Sequence, residues 1–210
     1  MKKEKAVKYL IGIDEVGRGP LAGPVAVGVV AIDFKVAGKI LKKFSPPQTP
    51  KLTDSKKLRE MERIEIFNFA KSVPGIFYEV SYCSANQIDK IGIQKCIFKC
   101  VENCLKKLGK KGINASNSIV RLDGALRAPS TYNQTTIIRG DFSEPIISLA
   151  SVIAKVTRDS YMQRLHKKFP EYNFAQNKGY GTKSHIKSIK KNGLSTEHRK
   201  SFCTKIKNKK

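Results

Sequence analysis

Short β-branched apolar runs alternate along the chain with longer segments of helical period. Tyr9 to Ile13 and Val25 to Ile32 are runs of the first kind, and each predicts a strand. Gly17-Arg18-Gly19-Pro20 between them supplies turn residues, so the fold is expected to open with a hairpin. A loop containing Ser45-Pro46-Pro47-Gln48-Thr49-Pro50 follows and should be exposed. Asp54 or Ser55 is then placed to cap an amphipathic helix to about Lys71, with Leu58, Met61, Ile64, Phe67 and Phe69 on its apolar side.

Phe77 to Tyr82 alternates as a third strand, and Ile93 to Leu108 has a helical period that Gly109 should end. Ile119 to Leu122 and Thr135 to Ile138 predict two more strands. Pro145 suits a first helical turn, and the apolar run Ile146 to Val156 continues into polar Thr157 to Lys168. One long helix, buried at its start and exposed at its end, accounts for both. A short helix is expected over Thr182 to Lys191, and the basic tail Lys205 to Lys210 is expected to be disordered. Five strands with helices between them predict an α/β fold. Its 210 residues suit one domain over 1–204, helical beyond about residue 160.

Charge changes the picture more than composition does. Lys and Arg total 41 against 17 Asp and Glu, a formal charge of +24, and a field of that sign concentrates polyanions. Nucleic acid is therefore the first partner to consider, with a lysine-rich proteome or a solvated surface as the lesser alternative. Met1 to Lys8 is basic and polar, and no apolar run approaches the roughly 18 residues of a membrane span. A cytoplasmic protein is expected. The five cysteines include no Cys-x-x-Cys pair, and Cys96, Cys100 and Cys104 recur along one helix. Structural zinc usually draws four ligands from more than one segment, so reduced thiols in the core are the expectation.

In so basic a chain the placement of acids is informative. Asp14 and Glu15 end one apolar strand, Asp123 ends another before Gly124, and Asp159 lies on the long helix. Two strand ends and a facing helix can bring hard oxygen ligands together, as divalent cations in phosphodiester hydrolysis require. Taken singly, each acid also has a structural reading: Asp123-Gly124 is a turn signal, Asp14 or Glu15 can pair with Arg18, and Asp159 can pair with Arg158 or Lys155.

The stretches GIDEVGRGPLAGPVAVGVV, DSKKL, LDG, SLASVIAKVTRD, NKGYGTKSH and HRKSF occur in this order between about Tyr9 and Phe202. Together they resemble the ribonuclease HII family. The resemblance implies an RNase H-like fold, a five-stranded mixed sheet flanked by helices with a helical C-terminal region. It implies an endonuclease that hydrolyses the RNA strand of RNA–DNA hybrids and incises 5′ of single ribonucleotides embedded in duplex DNA. Two Mn²⁺ or Mg²⁺ ions would serve the reaction, leaving 5′-phosphate and 3′-hydroxyl ends. Ribonucleotide removal in DNA repair and RNA primer removal in DNA replication are the roles that go with it, for a monomer without membrane association.

Carried over residue by residue, the resemblance makes Asp14, Glu15, Asp123 and Asp159 the metal-binding carboxylates. It makes Gly17-Arg18-Gly19 the reader of the ribonucleotide, and glycines there have a physical rationale, since they let backbone amides approach a 2′-hydroxyl. Tyr180, between Gly179 and Gly181, becomes the ring that packs on the deoxyribose after the ribonucleotide. Lys56 and Lys57 suit phosphate binding at a helix start. His185 and His198 have no evident nucleophile beside them and are left out of catalysis.

The chain departs from the family pattern in a longer stretch between Val30 and Asp54, and in Ser195-Thr196-Glu197 where a proline is common. Ribonuclease HIII carries similar carboxylates, but with an additional N-terminal domain and without the glycine-arginine-glycine motif. Two rivals predict different behaviour: a basic binding module would bind without cleaving, and another RNase H-like nuclease such as a junction resolvase would cut without requiring ribose.

Overall fold

In the computed structural model, which describes residues 7–43 and 58–206, the two opening apolar runs form the antiparallel pair β1 (Tyr9–Val16) and β2 (Val25–Asp33). Helix α1 (Phe34–Lys43) follows, then α2 (Glu60–Ser72), β3 (Ile76–Cys83), α3 (Ala85–Ile91) and α4 (Ile93–Lys110). The second half of the chain holds β4 (Ser118–Asp123), β5 (Asn133–Ile137), α5 (Gly140–Ser143), α6 (Pro145–Lys168), α7 (Phe174–Asn177) and α8 (Lys183–Asn192).

The strands form one mixed sheet in the order β3-β2-β1-β4-β5. β2 pairs antiparallel with both β1 and β3, whereas β4 runs parallel to β1 and to β5. The five expected strands are all present, as an RNase H-like sheet requires. β2 is buried along almost its whole length because helices cover both faces. Val25, Val27 and Val29 pack with Ile97, Cys100 and Val101 of α4, while Val30 and Ile32 pack with Ile146, Leu149 and Ile153 of α6. A third cluster joins Met162 and Leu165 of α6 to Tyr172, Phe174 and Ile189.

Close packing of α6 on the sheet depends on two glycines. A Cβ at Gly12 would lie 2.3 Å from the Ile146 carbonyl oxygen, and one at Gly28 would lie 2.5 Å from that of Ala150. Helix backbone therefore rests on strand backbone, and this fixes where the α6 side chains stand relative to the ends of β1 and β4.

Several boundaries differ from the sequence expectation. The Asp54–Ser55 cap lies outside the described residues, and α2 starts at Glu60, where the Glu62 carboxylate accepts a 2.7 Å bond from the Arg59 amide. That local bond sets the helix start. Gly109 does not end α4; the chain turns at Gly112, where the Ile113 amide reaches back to the Leu108 carbonyl at 3.1 Å. Burial of both Ile113 and Leu108 favours that later stop. Helices α1, α3, α5 and α7 were not expected, the last two because four residues carry no readable period. Of the basic tail, Ile206 packs against the third cluster, and residues 207–210 lie outside the described residues.

Candidate active site

Parallel pairing of β1 with β4 matches Ile13 to Leu122, so the next residues, Asp14 and Asp123, emerge side by side at the same sheet edge. Oxygens of Asp14, Glu15 and Asp123 all lie within 4.8 Å of one another. Asp14 is buried and accepts a 2.7 Å bond from the Glu15 amide. Burial raises the Asp14 carboxyl well above its ordinary range, with Glu15 and Asp123 adding repulsion and a Ser151 hydrogen bond opposing them. Glu15 is raised too, chiefly by burial, although Arg18 Nε lies 3.1 Å from its Oε1 and pulls the other way. Three acids crowded at the ends of two interior strands, one buried and two half-buried, form a hard oxygen donor set that fits a divalent cation.

A cavity of about 210 Å³ opens over these acids and is also lined by Asp141, Ser151, Lys155 and Tyr180. Asp141 was not anticipated. It follows β5 directly in the first turn of α5, and its amide donates to Asp123 Oδ1 at 3.2 Å. An acid one residue after a glycine, just past the end of a strand that neighbours β4, is the signal that would have found it.

Asp159 is not among the three acids brought together. Its carboxylate lies 2.7 Å from Lys155 Nζ, one turn back along α6, and it lines a separate cavity of about 60 Å³ with Glu60, Arg63 and Gln163. Asp159 stands about 12 Å along the helix axis beyond Ser151, whose side chain bonds Asp14. The ion pair with Lys155, one of the two structural readings open to it, is the one present. Lys155 itself borders the acidic cavity from α6; burial lowers its pKa and Asp159 opposes that effect.

The ribose-reader candidates flank the same cavity. Val16 lines it, and Gly17 follows with φ +85°, a conformation L side chains rarely adopt; a Cβ there would also lie 2.2 Å from Arg158 Nε. Gly19 is different, because a Cβ there would meet nothing within 4 Å. Nothing in the fold explains its being glycine, which leaves room for a substrate as the reason. Tyr180 lines the cavity with 43% of its surface exposed. Lys56 and Lys57 lie outside the described residues. All five cysteines are free and buried, and burial pushes Cys83 and Cys96 up to about 11 and Cys104 to about 12.

The family described as Ribonuclease HII matches residues 11–206. This chain belongs to the ribonuclease HII family. It is 40% identical over 203 residues to the ribonuclease HII of Bacillus cereus strain B4264, covering 96% of this chain and 71% of the relative. The protein from strain G9842 is 41% identical over the same span. Among solved structures, the ribonuclease H2 of Pyrococcus horikoshii OT3 superposes with a TM-score of 0.70 at 24% identity, covering 94% of this chain and 96% of that one. The RNase HII in the PCNA:RNase HII complex from Archaeoglobus fulgidus gives 0.72 at 22% identity, covering 96% and 98%. Bst-RNase HIII in complex with Mn²⁺ gives 0.66 at 18%, covering 90% of this chain but 64% of that protein. These likenesses carry the fold, and family membership makes the chain a ribonuclease H, a hydrolase acting on RNA–DNA substrates. No helix among the described residues is long and apolar enough to cross a membrane.

Proposed function

We propose that this protein incises on the 5′ side of single ribonucleotides in duplex DNA and cuts the RNA strand of hybrids, leaving 5′-phosphate and 3′-hydroxyl ends. The observation that carries the reading is the convergence of Asp14, Glu15 and Asp123 beside Tyr180 and the Gly17-Arg18-Gly19 turn. Asp14, Glu15, Asp123 and, in place of Asp159, Asp141 would hold two divalent ions, Mn²⁺ or Mg²⁺. Bound there, such ions supply Lewis acidity to an attacking water and to the departing 3′-oxygen.

The protein's own part is positioning. Asp14, held in the sheet by its bond from the Glu15 amide, fixes one side of the acidic cluster, and the Asp141 amide steadies Asp123 on the other. Lys155 borders the cavity as a cation for the substrate phosphate. The Gly17-Arg18-Gly19 backbone meets the 2′-hydroxyl, and Tyr180 packs against the following deoxyribose, where a missing hydroxyl leaves space. One group requires ribose and the next packs best where the hydroxyl is absent, which favours the junction over continuous hybrid.

Residues 1–204 are read as one catalytic domain, acting as a cytoplasmic monomer in ribonucleotide removal and primer removal. The deciding experiment is cleavage of three matched duplexes, all-DNA, DNA with one ribonucleotide, and RNA–DNA hybrid, under Mg²⁺, Mn²⁺ or chelator. Metal-dependent incision 5′ of the lone ribonucleotide with all-DNA intact is the expected result. Binding without cleavage under every metal would reject the proposal in favour of a basic binding module, and cutting of all three would reject the selectivity.

A further inference from the structure

Behind the two candidate reader loops lies a short segment of the C-terminal region that touches both. Leu21–Gly23, which follows the Gly17-Arg18-Gly19 turn, is bracketed by main chain. The Leu21 amide donates to the Gly179 carbonyl, the Arg199 amide to the Leu21 carbonyl and the Gly23 amide to the Glu197 carbonyl, each at 2.8 Å. The segment after the turn is thus tied to the Tyr180 loop on one side and to residues 197–199 on the other.

Arg199 is fully buried, and its guanidinium spends its bonds on one loop. Nη2 donates to the Gly17 carbonyl at 2.6 Å, Nη1 to the Arg18 carbonyl at 2.9 Å and Nε to the Gly23 carbonyl at 3.0 Å. Among the described residues it has no carboxylate within ion-pair distance. A buried cation satisfied by carbonyls alone is an expensive way to hold a fold, and apolar replacements of buried ionic groups are often neutral or stabilising. What the planar fork adds is direction, three carbonyls held at fixed angles.

His198, the preceding residue, reaches the other loop. Its Nδ1 accepts from the Ser195 amide at 2.9 Å and faces the Ser195 hydroxyl at 2.8 Å. The neutral ring therefore carries its proton on Nε2, which lies 3.1 Å from His185 Nε2. That nitrogen must accept, so the His185 proton sits on Nδ1 and donates to the Tyr180 carbonyl at 2.8 Å. A single amide at Ser195 thus fixes both tautomers. Tyr172 and Phe174 enclose the two rings edge-on or tilted, and burial keeps both rings neutral by lowering their pKa values.

We propose that His198 and Arg199 are positioning residues that set the two arms of the ribonucleotide reader against each other. Arg199 acts directly on the Gly17 and Arg18 carbonyls, and His198 acts through His185 on the Tyr180 carbonyl. The inference rests on the reading of those loops as the substrate reader. It gives a specificity role to histidines that have no place in the hydrolytic chemistry.

The test compares His185→Asn with His185→Gln, alongside Arg199→Lys, by steady-state kinetics on the single-ribonucleotide duplex and on the hybrid, with melting midpoints. Asparagine brings its amide near the Nδ1 position and keeps the bond to Tyr180, whereas glutamine brings its amide near Nε2 and keeps only the link to His198. Both variants remove the same buried ring, so their melting midpoints should fall together. His185→Gln is expected to lose about tenfold in kcat/KM on the lone ribonucleotide, the worth of one hydrogen bond, while His185→Asn loses about threefold or less. Arg199→Lys keeps the charge without the fork and should lose about 10²-fold on the lone ribonucleotide, with a smaller loss on the hybrid. Equal kinetics for the two His185 variants, or losses on both duplexes that only track melting, would overturn the positioning role. If Arg199→Lys fails to fold, the His185 pair decides. Wild-type protein that cuts the hybrid but leaves the lone ribonucleotide intact would instead overturn the proposed selectivity, and this role with it.

Discussion

Asp159 sits 2.7 Å from Lys155 on the same helix and stands apart from the acids at the strand ends, while Asp141, at the start of α5, lines the cavity over them. The two acids should therefore respond differently to loss of charge. Asp141→Asn should lower metal-dependent cleavage by about 10²-fold or more, the scale of removing one preorganised electrostatic group. Asp159→Asn should keep activity within about tenfold and cost about 1–3 kcal/mol of stability through the lost charged hydrogen bond. Cleavage rates at several Mn²⁺ concentrations check this. A variant order opposite to the expected one would return Asp159 to the metal site.

Gly19 offers a separation of stability from recognition. Because a Cβ there meets nothing within 4 Å, Gly19→Ala should leave the melting midpoint within about 2 °C, a change of less than 1 kcal/mol. Its cleavage of a lone ribonucleotide should fall at least about tenfold if backbone must approach the sugar closely. Tyr180→Ala should likewise depress cleavage of the lone ribonucleotide more than that of the hybrid. Retained activity in Gly19→Ala would remove the close-approach argument.

Asp14 carries a cost that the proposed metal site would explain. Its carboxyl is raised by burial and by the neighbouring acids, so the ionised form opposes folding when no cation is present. The fold is therefore favoured as pH drops into the raised titration range, and weakened as pH rises through it. In chelator at neutral pH, Asp14→Asn should raise stability by roughly 1 kcal/mol, or about 2–4 °C, while abolishing cleavage. Differential scanning calorimetry with and without Mn²⁺ measures this, and a variant less stable than wild type in chelator would contradict it.

The buried histidine pair predicts an acid limb of the opposite sign. Burial, then the neighbouring His185, pushes His198 down to about 4 from an ordinary 6.5. Between those values the unfolded chain binds a proton that the folded chain refuses, so stability falls as pH drops through the window and is unaffected above it. The loss is on the order of 3 kcal/mol. His198→Gln removes this linkage, so the stability advantage of wild type over the variant should shrink between about pH 7 and about pH 4.5. A constant difference across that range would show that His198 does not titrate as its surroundings require.

The sequence was most legible where structure is local. Tyr9 to Ile13 and Val25 to Ile32 announce β1 and β2 through β-branched runs, and Pro145 marks the first residue of α6. The acids at the ends of β1 and β4 were visible because an acid closing an apolar strand in a chain of charge +24 is conspicuous. Asp141 was not, since it stands on a four-residue helix with no period of its own. Nor was the full burial of Arg158 and Arg199, which are bonded to carbonyls far away in the chain.

By itself the sequence determined the kinds of element, their order, the family and three of the acids that meet, because hydrophobic period, turn residues and motif order act over short spans of chain. Tertiary structure decided that β1 and β4 are parallel neighbours, which brings Asp14 beside Asp123. It also decided where α6 rests on the sheet, through the glycine contacts at Gly12 and Gly28, and that Asp141 lines the cavity over the three acids while Asp159 stands outside their group. Periodicity states which face of a helix is buried. How far along that helix a side chain meets a strand end depends on backbone contacts between segments more than a hundred residues apart, and only the packed chain contains them.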